Sequence, residues 1–450
     1  MIAWGVFAFG SVYPWAYIPL MAASAAVGLG GLFRPAPGAR MQVALIIALA
    51  AVAVACSVQL LPVSQRTIVG LSPHTDRLLR LLDLQYMSAA QSGAAVHSLS
   101  INRKSTALAL ALFVSCSLLM LGTARMLTRE ALGRLTRGLV VIGVLLAMAG
   151  VSQKPLFGSR IYGFWTPLEG INPFGPFVNR NHFAGWMLMM LPLTAGYLLS
   201  RLARPSPDTA PDWRKRLLWY ASADANQTVL VGFAVFVMAI ALVLTLSRSA
   251  IVAFVGAIGL SAVLISRDSG PRERRTALAF VALVLLMPIA WVGVDVVGSR
   301  FATRDVADLD GRLNTWADAW RIVRAFPLAG TGLNTYGTVT LFYQTTDLTH
   351  YYDAAHNDYL QLAAEGGLLV AVPAVAALTF LVLTIRSRLR EISSHASEYW
   401  IRVGAMTGLL AIGVQELSDF SLQNPANAVL FSVLGGIALR SVGSSRAHVR

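Results

Sequence analysis

Four cationic or imidazole side chains with polar neighbours stand in separated segments of a largely apolar sequence: Arg180, Arg248, Arg312 and His356. Arginine binds phosphate oxygens through paired hydrogen bonds and offsets the charge that develops on a leaving phosphate. Histidine accepts a proton near neutral pH, which suits a general base. If the four segments converge, they predict transfer of a group from a diphosphate to an acceptor hydroxyl.

Polar residues near these four side chains are candidate substrate-binding residues. Arg180 belongs to this set, and its neighbours could either bind a polar ligand or cap a helix. Arg248 could either bind phosphate between two serine hydroxyls or extend to lipid headgroups. The remaining candidates are Asn179, Asn181, His182, Ser247, Ser249, Asp310, Asn334, Tyr336, Asn357, Asp358, Tyr359 and Glu365.

The segment around Arg312 contains an Asp-x-Asp pair at Asp308 and Asp310. Such a pair can hold a divalent cation, but a two-residue pattern is a weak signal. We therefore expect no metal site, a structural role for Asp308, and Asp310 as a partner for an arginine. An amphipathic helix to Phe326 is predicted next, and its packing stripe consists of Trp316, Ala319, Trp320 and Val323.

Two further segments carry turn and cap signals. Gly330–Tyr336 is rich in glycine, yet it lacks the Gly-Lys-Ser/Thr of a phosphate-binding loop, so a structural turn is favoured. Asn357 and Asp358 are natural N-cap residues for a helix that ends at Gly366–Gly367. His356 immediately precedes that predicted helix.

The elements that must position these residues are membrane helices. The chain has 450 residues, of which 56% are hydrophobic and 13% charged, about half the charge content of a soluble domain. Apolar runs of membrane-spanning length recur from end to end, which excludes a soluble enzyme with one anchor. The runs are 2–33, 42–62, 105–127, 137–153, 183–200, 228–246, 249–266, 277–294, 367–385, 403–418 and 427–439.

These runs predict an all-α polytopic membrane protein with about 11–12 transmembrane helices. The first run could be one tilted helix or a short re-entrant piece followed by a helix. The run 228–266 forms two spans only if the chain turns at Leu246–Ser249, which would also keep Arg248 out of the lipid. No cleavable signal is evident, so the first run is read as structure. Cys56 and Cys116 lie in apolar runs and encode no disulfide framework.

Charge distribution predicts the orientation. The net charge of +14 falls entirely in alternate loops, which are therefore cytoplasmic; the other loops are neutral and face outward. This explains the basic composition without nucleic acid. We expect residues 1–294 to contain the first eight spans, 295–366 to form a large helical periplasmic loop with part of the site, and 367–450 to contain the C-terminal spans.

Several segments, in this order, resemble the O-antigen ligase/O-antigen polymerase family of bacterial envelope glycosyltransferases. The similar pieces cover most of the chain and are densest from 228 to 386. They are FGSVYPWAY at 9–17, GPFVNRNHFAG at 175–185, TLSRSA at 245–250, GRLNTW at 311–316, PLAGTGLNTY at 327–336, HNDYLQLAAEGG at 356–367 and DFSLQNPANAVLF at 419–431.

The resemblance implies a metal-independent, inverting, GT-C-like enzyme of the bacterial inner membrane that needs no cofactor. Its donor would be a glycan on undecaprenyl diphosphate at the periplasmic face, and membrane lipid would surround it. A ligase, which we favour, would use lipid A-core oligosaccharide as acceptor; a polymerase would use another glycan, and a protein oligosaccharyltransferase a protein. Family roles would make Arg248 and Arg312 diphosphate binders and His356 the base or an acceptor-orienting residue, with Arg180 less certain.

Two other classes of protein are alternatives to this prediction. A transporter or flippase would explain many helices, but it predicts ionisable residues in mid-span, and Glu416 is the one candidate evident. A structural scaffold gives no reason for arginine and histidine clusters beside apolar spans. The clustering of polar residues at one face favours an outward-facing catalytic site.

Overall fold

The computed structural model describes residues 1–34, 42–167, 172–202, 223–268, 306–345, 348, 351–391 and 397–441. Within these ranges, the side chains of 223–224, 264–268, 306–310 and 397 are not described. The predicted span 277–294 and the side chains of Asp308 and Asp310 therefore lie outside the described residues.

The described chain is helical almost throughout, and sixteen α-helices are numbered here in chain order. They are α1 Ile2–Phe7, α2 Pro14–Phe33, α3 Val43–Leu60, α4 Gln65–Leu71, α5 Pro73–Leu82, α6 Leu84–Gln91, α7 Arg103–Met126, α8 Arg129–Phe157, α9 Arg180–Leu202, α10 Ala223–Leu244, α11 Arg248–Asp268, α12 Val306–Ala325, α13 Tyr336–Tyr343, α14 Asp358–Arg390, α15 Ser397–Gln415 and α16 Pro425–Leu439. A two-stranded antiparallel sheet pairs Val63 with His97 and Ser64 with Val96.

Within the described ranges, seven helices are long and apolar enough to cross a membrane, namely α2, α3, α7, α8, α9, α10 and α14. Helices α11 and α16 contain shorter apolar stretches, Arg248–Val263 and Pro425–Leu439, and α15 covers most of the predicted run 403–418. This architecture confirms the prediction of an all-α polytopic membrane protein. The run 2–33 divides into α1, a 3-10 turn at Phe9–Ser11 and α2, as one of the two alternatives expected.

Helix α9 lies in the middle of the bundle, and every residue of its apolar stretch is buried. It packs on α8, α10, α15 and α16. Its contact with α15 is close because Gly196 and Gly404 face each other's backbones: a Cβ at Gly196 would lie 2.2 Å from the carbonyl oxygen of Trp400. Small residues at helix contacts are a recurrent feature of membrane bundles. This contact fixes the C-terminal half of α9 against α15.

A second hydrophobic core lies at the end of the bundle where α9 and α14 begin. Helix α12 contributes Ala319, Ile322 and Phe326, which pack on α5 and α13. The expected stripe is wrong at Trp320, which is 48% exposed; Ile322 takes its place on the buried face. Both residues fit helical periodicity, and only the neighbouring helices decide which face is covered.

Candidate functional site

The turn between α15 and α16, residues 416–424, receives contacts from segments far away in the sequence. Ser249 Oγ donates a hydrogen bond of 3.0 Å to Oδ2 of Asp419. Arg312 Nη1 donates one of 2.7 Å to the carbonyl oxygen of Ser418. The start of α11 and the first half of α12 are thus attached to adjacent residues of one turn.

Two histidines meet on the ring of Phe420 in the same turn. The His182 and His356 ring centres each lie 4.9 Å from the centre of Phe420, with interplanar angles of 90° and 80°. These edge-to-face contacts bring together the N-terminal ends of α9 and α14. On the other side, Trp316 Nε1 donates a 3.4 Å hydrogen bond to the His356 carbonyl oxygen.

Asp419 is the buried acidic centre of this arrangement, with no exposed surface. Burial raises the pKa of its carboxyl group above the ordinary value of 3.8, and the nearby positive charges of Arg312 and Arg180 partly oppose that rise. Both arginines are therefore within electrostatic reach of one carboxylate. The structure thus brings together the 180, 248, 312 and 356 segments.

Local turns explain how Arg248 and His356 reach the site. Helix α10 ends at Leu244, Leu246 adopts a left-handed φ of 53°, and α11 begins at Arg248. The predicted turn is confirmed, and it puts the guanidinium-bearing residue at a helix start beside the paired hydroxyls of Ser247 and Ser249, 3.2 Å apart. His356 also has a left-handed φ, of 51°, immediately before the Asn357 cap.

Several candidate binding residues make structural contacts at the rim of the site. Asn179 Oδ1 accepts a 2.8 Å hydrogen bond from the Asn181 backbone, and the Asn181 carbonyl accepts one of 3.2 Å from Ser421. The carbonyl oxygen of His182 accepts a 2.9 Å hydrogen bond from the side chain of Asn427. These residues therefore cap α9 and anchor it to the 416–424 turn.

The start of α14 is anchored to the same turn by its own polar residues. Asn357 caps the helix as predicted, accepting a 3.0 Å hydrogen bond from the backbone of Leu360. Asp358 accepts a 2.7 Å hydrogen bond from the side chain of Gln423. Tyr359 donates its hydroxyl to the carbonyl oxygen of Gly413 at 2.7 Å. These contacts hold His356 in position and favour a supporting role for all three residues.

Glu365 lies away from the turn, in a cradle of backbone amides. Its carboxylate accepts hydrogen bonds from the N–H groups of Asn334, Thr335 and Tyr336 at 2.7, 3.1 and 2.8 Å. Gln361 Nε2 adds a fourth at 3.1 Å. Glu365 is buried and Tyr336 is only 1% exposed. Both were candidate substrate-binding residues, but this geometry favours a structural role, and it agrees with the turn expected at Gly330–Tyr336.

Neither Asp419 nor Phe420 is among the site residues predicted from the sequence. The segment DFSLQNPANAVLF, which begins at Asp419, contributes to the family resemblance, but no residue in it was assigned a role. An acidic residue directly after a predicted outer span end was the available signal. Asp310, expected as the arginine partner, has no described side chain, whereas Asp419 is within reach of two arginines.

Comparison with known protein families matches part of the chain. Residues 233–375 match the family model described as O-antigen ligase, and this range contains Arg248, Arg312 and His356. Arg180 and the 416–424 turn lie outside the matched range. No curated protein matches the chain. The chain is thus an all-α polytopic membrane protein whose residues 233–375 match the O-antigen ligase family, and this match supports a role in membrane glycan transfer.

Proposed function

We propose that the protein moves a glycan from undecaprenyl diphosphate to lipid A-core oligosaccharide at the periplasmic face of the bacterial inner membrane. The observation that carries this proposal is the convergence of four separated segments around residues 418–420. It supplies arginines for a diphosphate and an imidazole for an acceptor hydroxyl in one region. The family match supports glycan transfer as the reaction.

In the proposed step, the acceptor hydroxyl oxygen attacks the anomeric carbon of the glycan as the bond from that carbon to the diphosphate oxygen breaks. His356 takes the hydroxyl proton. Arg248 and Arg312 stabilise the negative charge on the departing diphosphate. Attack opposite the leaving group inverts the anomeric configuration. No metal or cofactor enters this scheme, because the guanidinium groups supply the positive charge that a divalent cation would otherwise provide.

Asp419 supports the scheme by balancing charge. Arg312 and Arg180 both act on Asp419 in a partly buried region, where like charges repel strongly. The buried carboxylate of Asp419 offsets that repulsion, and its hydrogen bond to Ser249 holds the start of α11 beside the site. We therefore give Asp419 a positioning role, separate from the residues that contact the diphosphate.

Helices α10 and α11 offer an apolar surface for the lipid chain of the donor. They are joined by the turn that bears Arg248, and both expose large apolar side chains, among them Phe233 on α10 and Val252 on α11. A polyprenyl chain lying along these helices would present its diphosphate to Arg248 at the end of the bundle.

The proposal is tested by transfer with purified full-length protein in detergent containing EDTA. One tube receives an undecaprenyl-diphosphate-linked glycan and lipid A-core acceptor, and a parallel tube receives the donor alone. Product on lipid A-core is the expected result. The Arg321→Lys variant of α12 serves as a folding-matched control for variants of Arg312, because Arg321 pairs with Asp318 on the same helix.

Two other results would change the assignment. A ladder of longer carrier-linked glycans in the tube without acceptor would make the protein a polymerase. Absence of product in both tubes, with substrates verified on a known enzyme, would contradict transfer between these lipids. Protein acceptors and transport of the donor across vesicles would then be measured.

A further inference from the structure

Aromatic side chains from two distant segments pack into one cluster beside the candidate site. We call it the aromatic platform and define it as Phe9, Tyr13, Trp15, Tyr162, Phe164 and Trp165. The Phe9 ring is its centre, because four other ring centres lie 5.6 to 6.1 Å from it. The start of α2 and the segment after α8 are joined by these contacts.

Two residues of the platform have an unusual backbone conformation. Phe9 and Tyr162 have left-handed φ angles of 58° and 54°. Bulky residues rarely adopt this conformation, and it persists only where the surrounding structure enforces it. Such backbone strain clusters at ligand-binding and active sites. The platform is therefore a constrained arrangement of rings.

The rings of the platform are partly or largely exposed, whereas the polar groups of Trp165 and Tyr162 are bonded within the protein. Trp15 is 53% exposed and Phe164 is 73% exposed. In contrast, Trp165 Nε1 donates to the Tyr13 hydroxyl at 3.0 Å, and the Tyr162 hydroxyl donates to the Phe7 carbonyl at 2.6 Å. Aromatic residues of a membrane-interface belt use their polar ends toward headgroups and water. In this platform, by contrast, the polar groups of Trp165 and Tyr162 are bonded to the protein itself, while Trp15 and Phe164 remain accessible.

The platform is continuous with the candidate site. Residues 158–167 follow α8 and lead to α9, so they lie at the same end of the bundle as Arg180. Gly10, next to Phe9, packs so tightly that a Cβ there would lie 2.8 Å from the Phe177 ring and 2.9 Å from Nδ2 of Asn424. Asn424 belongs to the 416–424 turn. A glycan attached at the site could therefore extend over the platform.

We propose that the aromatic platform binds pyranose rings of a glycan substrate. The C–H groups on one face of a pyranose carry partial positive charge, which complements the negative face of an aromatic ring. A constrained group of accessible aromatic rings, in which the Tyr162 hydroxyl and the Trp165 indole are already bonded internally, suits stacking more than hydrogen bonding. The inference rests on the proposed function, since that function supplies the glycan.

The test measures binding of free oligosaccharides to the full-length protein in detergent, without any transfer step. One probe is the repeat-unit oligosaccharide released from its carrier by mild acid, and the other is core oligosaccharide released from lipid A. Dissociation constants are compared for wild type, Trp15→Leu, Trp15→Tyr and Phe164→Leu. Phe33→Leu is the control, because Phe33 is 84% exposed at the opposite end of α2.

Leucine keeps apolar contact with lipid but removes the ring face. We expect Trp15→Leu and Phe164→Leu to weaken binding about three- to tenfold, in line with aromatic stacking, and Trp15→Tyr and Phe33→Leu to leave it unchanged. The probe that shows this loss identifies whether donor glycan or acceptor core occupies the platform. Phe164 touches the cluster mainly through Tyr162, so its variant keeps the test valid if Trp15→Leu misfolds.

Unchanged binding of both probes to the leucine variants, or no binding to wild type, would overturn the inference. Such a result would not contradict the proposed function, provided that transfer to lipid A-core is observed. Conversely, platform-dependent binding in a protein without transfer activity would support the platform and contradict the proposed function alone.

Discussion

Ser249 at the start of α11 and Asp419 in the turn after α15 are joined by a 3.0 Å hydrogen bond across 170 residues of sequence. The bond attaches the turn between α10 and α11, which bears Arg248, to residues 418–420. The same residues contact Arg312 and the two histidine rings. A buried carboxylate therefore lies at the centre of a site to which Arg312 and Arg180 contribute positive charge.

Replacing Asp419 should change how stability depends on pH. Burial raises its pKa above 3.8, although Arg312 and Arg180 oppose this, so folding favours the protonated form. Its contribution to stability is present below pH 3.8 and is lost as the pH rises through the folded-state pKa. Asp419→Asn should flatten this decline in the free energy of unfolding, followed by fluorescence in detergent from pH 3.5 upward.

Asp76 is the control, because its contribution to stability should change with pH in the opposite direction to that of Asp419. Burial alone would raise its pKa, but hydrogen bonds from Arg80 and Tyr86 lower it below 3.8 overall. Asp76→Asn should therefore remove stability that is present above pH 3.8 and lost as the pH falls below it, so the same assay is extended to lower pH for this variant. An unchanged pH dependence in Asp419→Asn would show that the Asp419 titration is not linked to folding.

His356→Ala should abolish transfer while the protein remains folded and binds the donor. Removing a general base lowers the rate about 100- to 10,000-fold. Single-turnover transfer and donor binding are measured separately on the same preparation. His74→Ala is the control, because His74 bonds to Tyr343 and packs on Phe326 away from the 418–420 turn. Transfer at the wild-type rate by His356→Ala would remove this histidine from the mechanism.

Arg312→Lys should weaken donor binding even though the charge is kept. Lysine cannot reproduce the planar fork of arginine, and Arg312 also holds the carbonyl of Ser418 at 2.7 Å. We expect the KM for the donor to rise about tenfold, corresponding to about 1.4 kcal/mol. Arg321→Lys on the same helix should leave KM unchanged. Equal KM values for both variants would show that Arg312 does not bind the donor and has only a structural role.

Glu365→Ala should destabilise the protein without altering substrate affinity. It would leave the backbone N–H groups of residues 334–336 without their carboxylate acceptor, at a cost of about 1–3 kcal/mol for each buried group. A lower midpoint of thermal unfolding is the expected readout. Glu365→Gln retains one acceptor oxygen and should lose less stability. A raised KM with unchanged unfolding would instead indicate that Glu365 contacts substrate.

Local sequence was sufficient for much of the helical framework. Apolar runs of membrane-spanning length predicted the spans, and the polar residues at 247–249 predicted the turn that the structure has between Leu244 and Arg248. Asn357 was recognisable as an N-cap, because capping depends on residues within one turn of the helix. These features are set by hydropathy and by backbone hydrogen bonds between near neighbours.

Tertiary structure alone decided which distant residues meet. Asp419 near Arg312, the two histidines on Phe420, and Glu365 under the 334–336 amides are contacts between segments far apart in sequence. The same holds for Trp320, which periodicity assigned to packing and the fold leaves exposed. Periodicity defines the faces of a helix, whereas helix packing determines which of those faces is buried and which charges share a low-dielectric region.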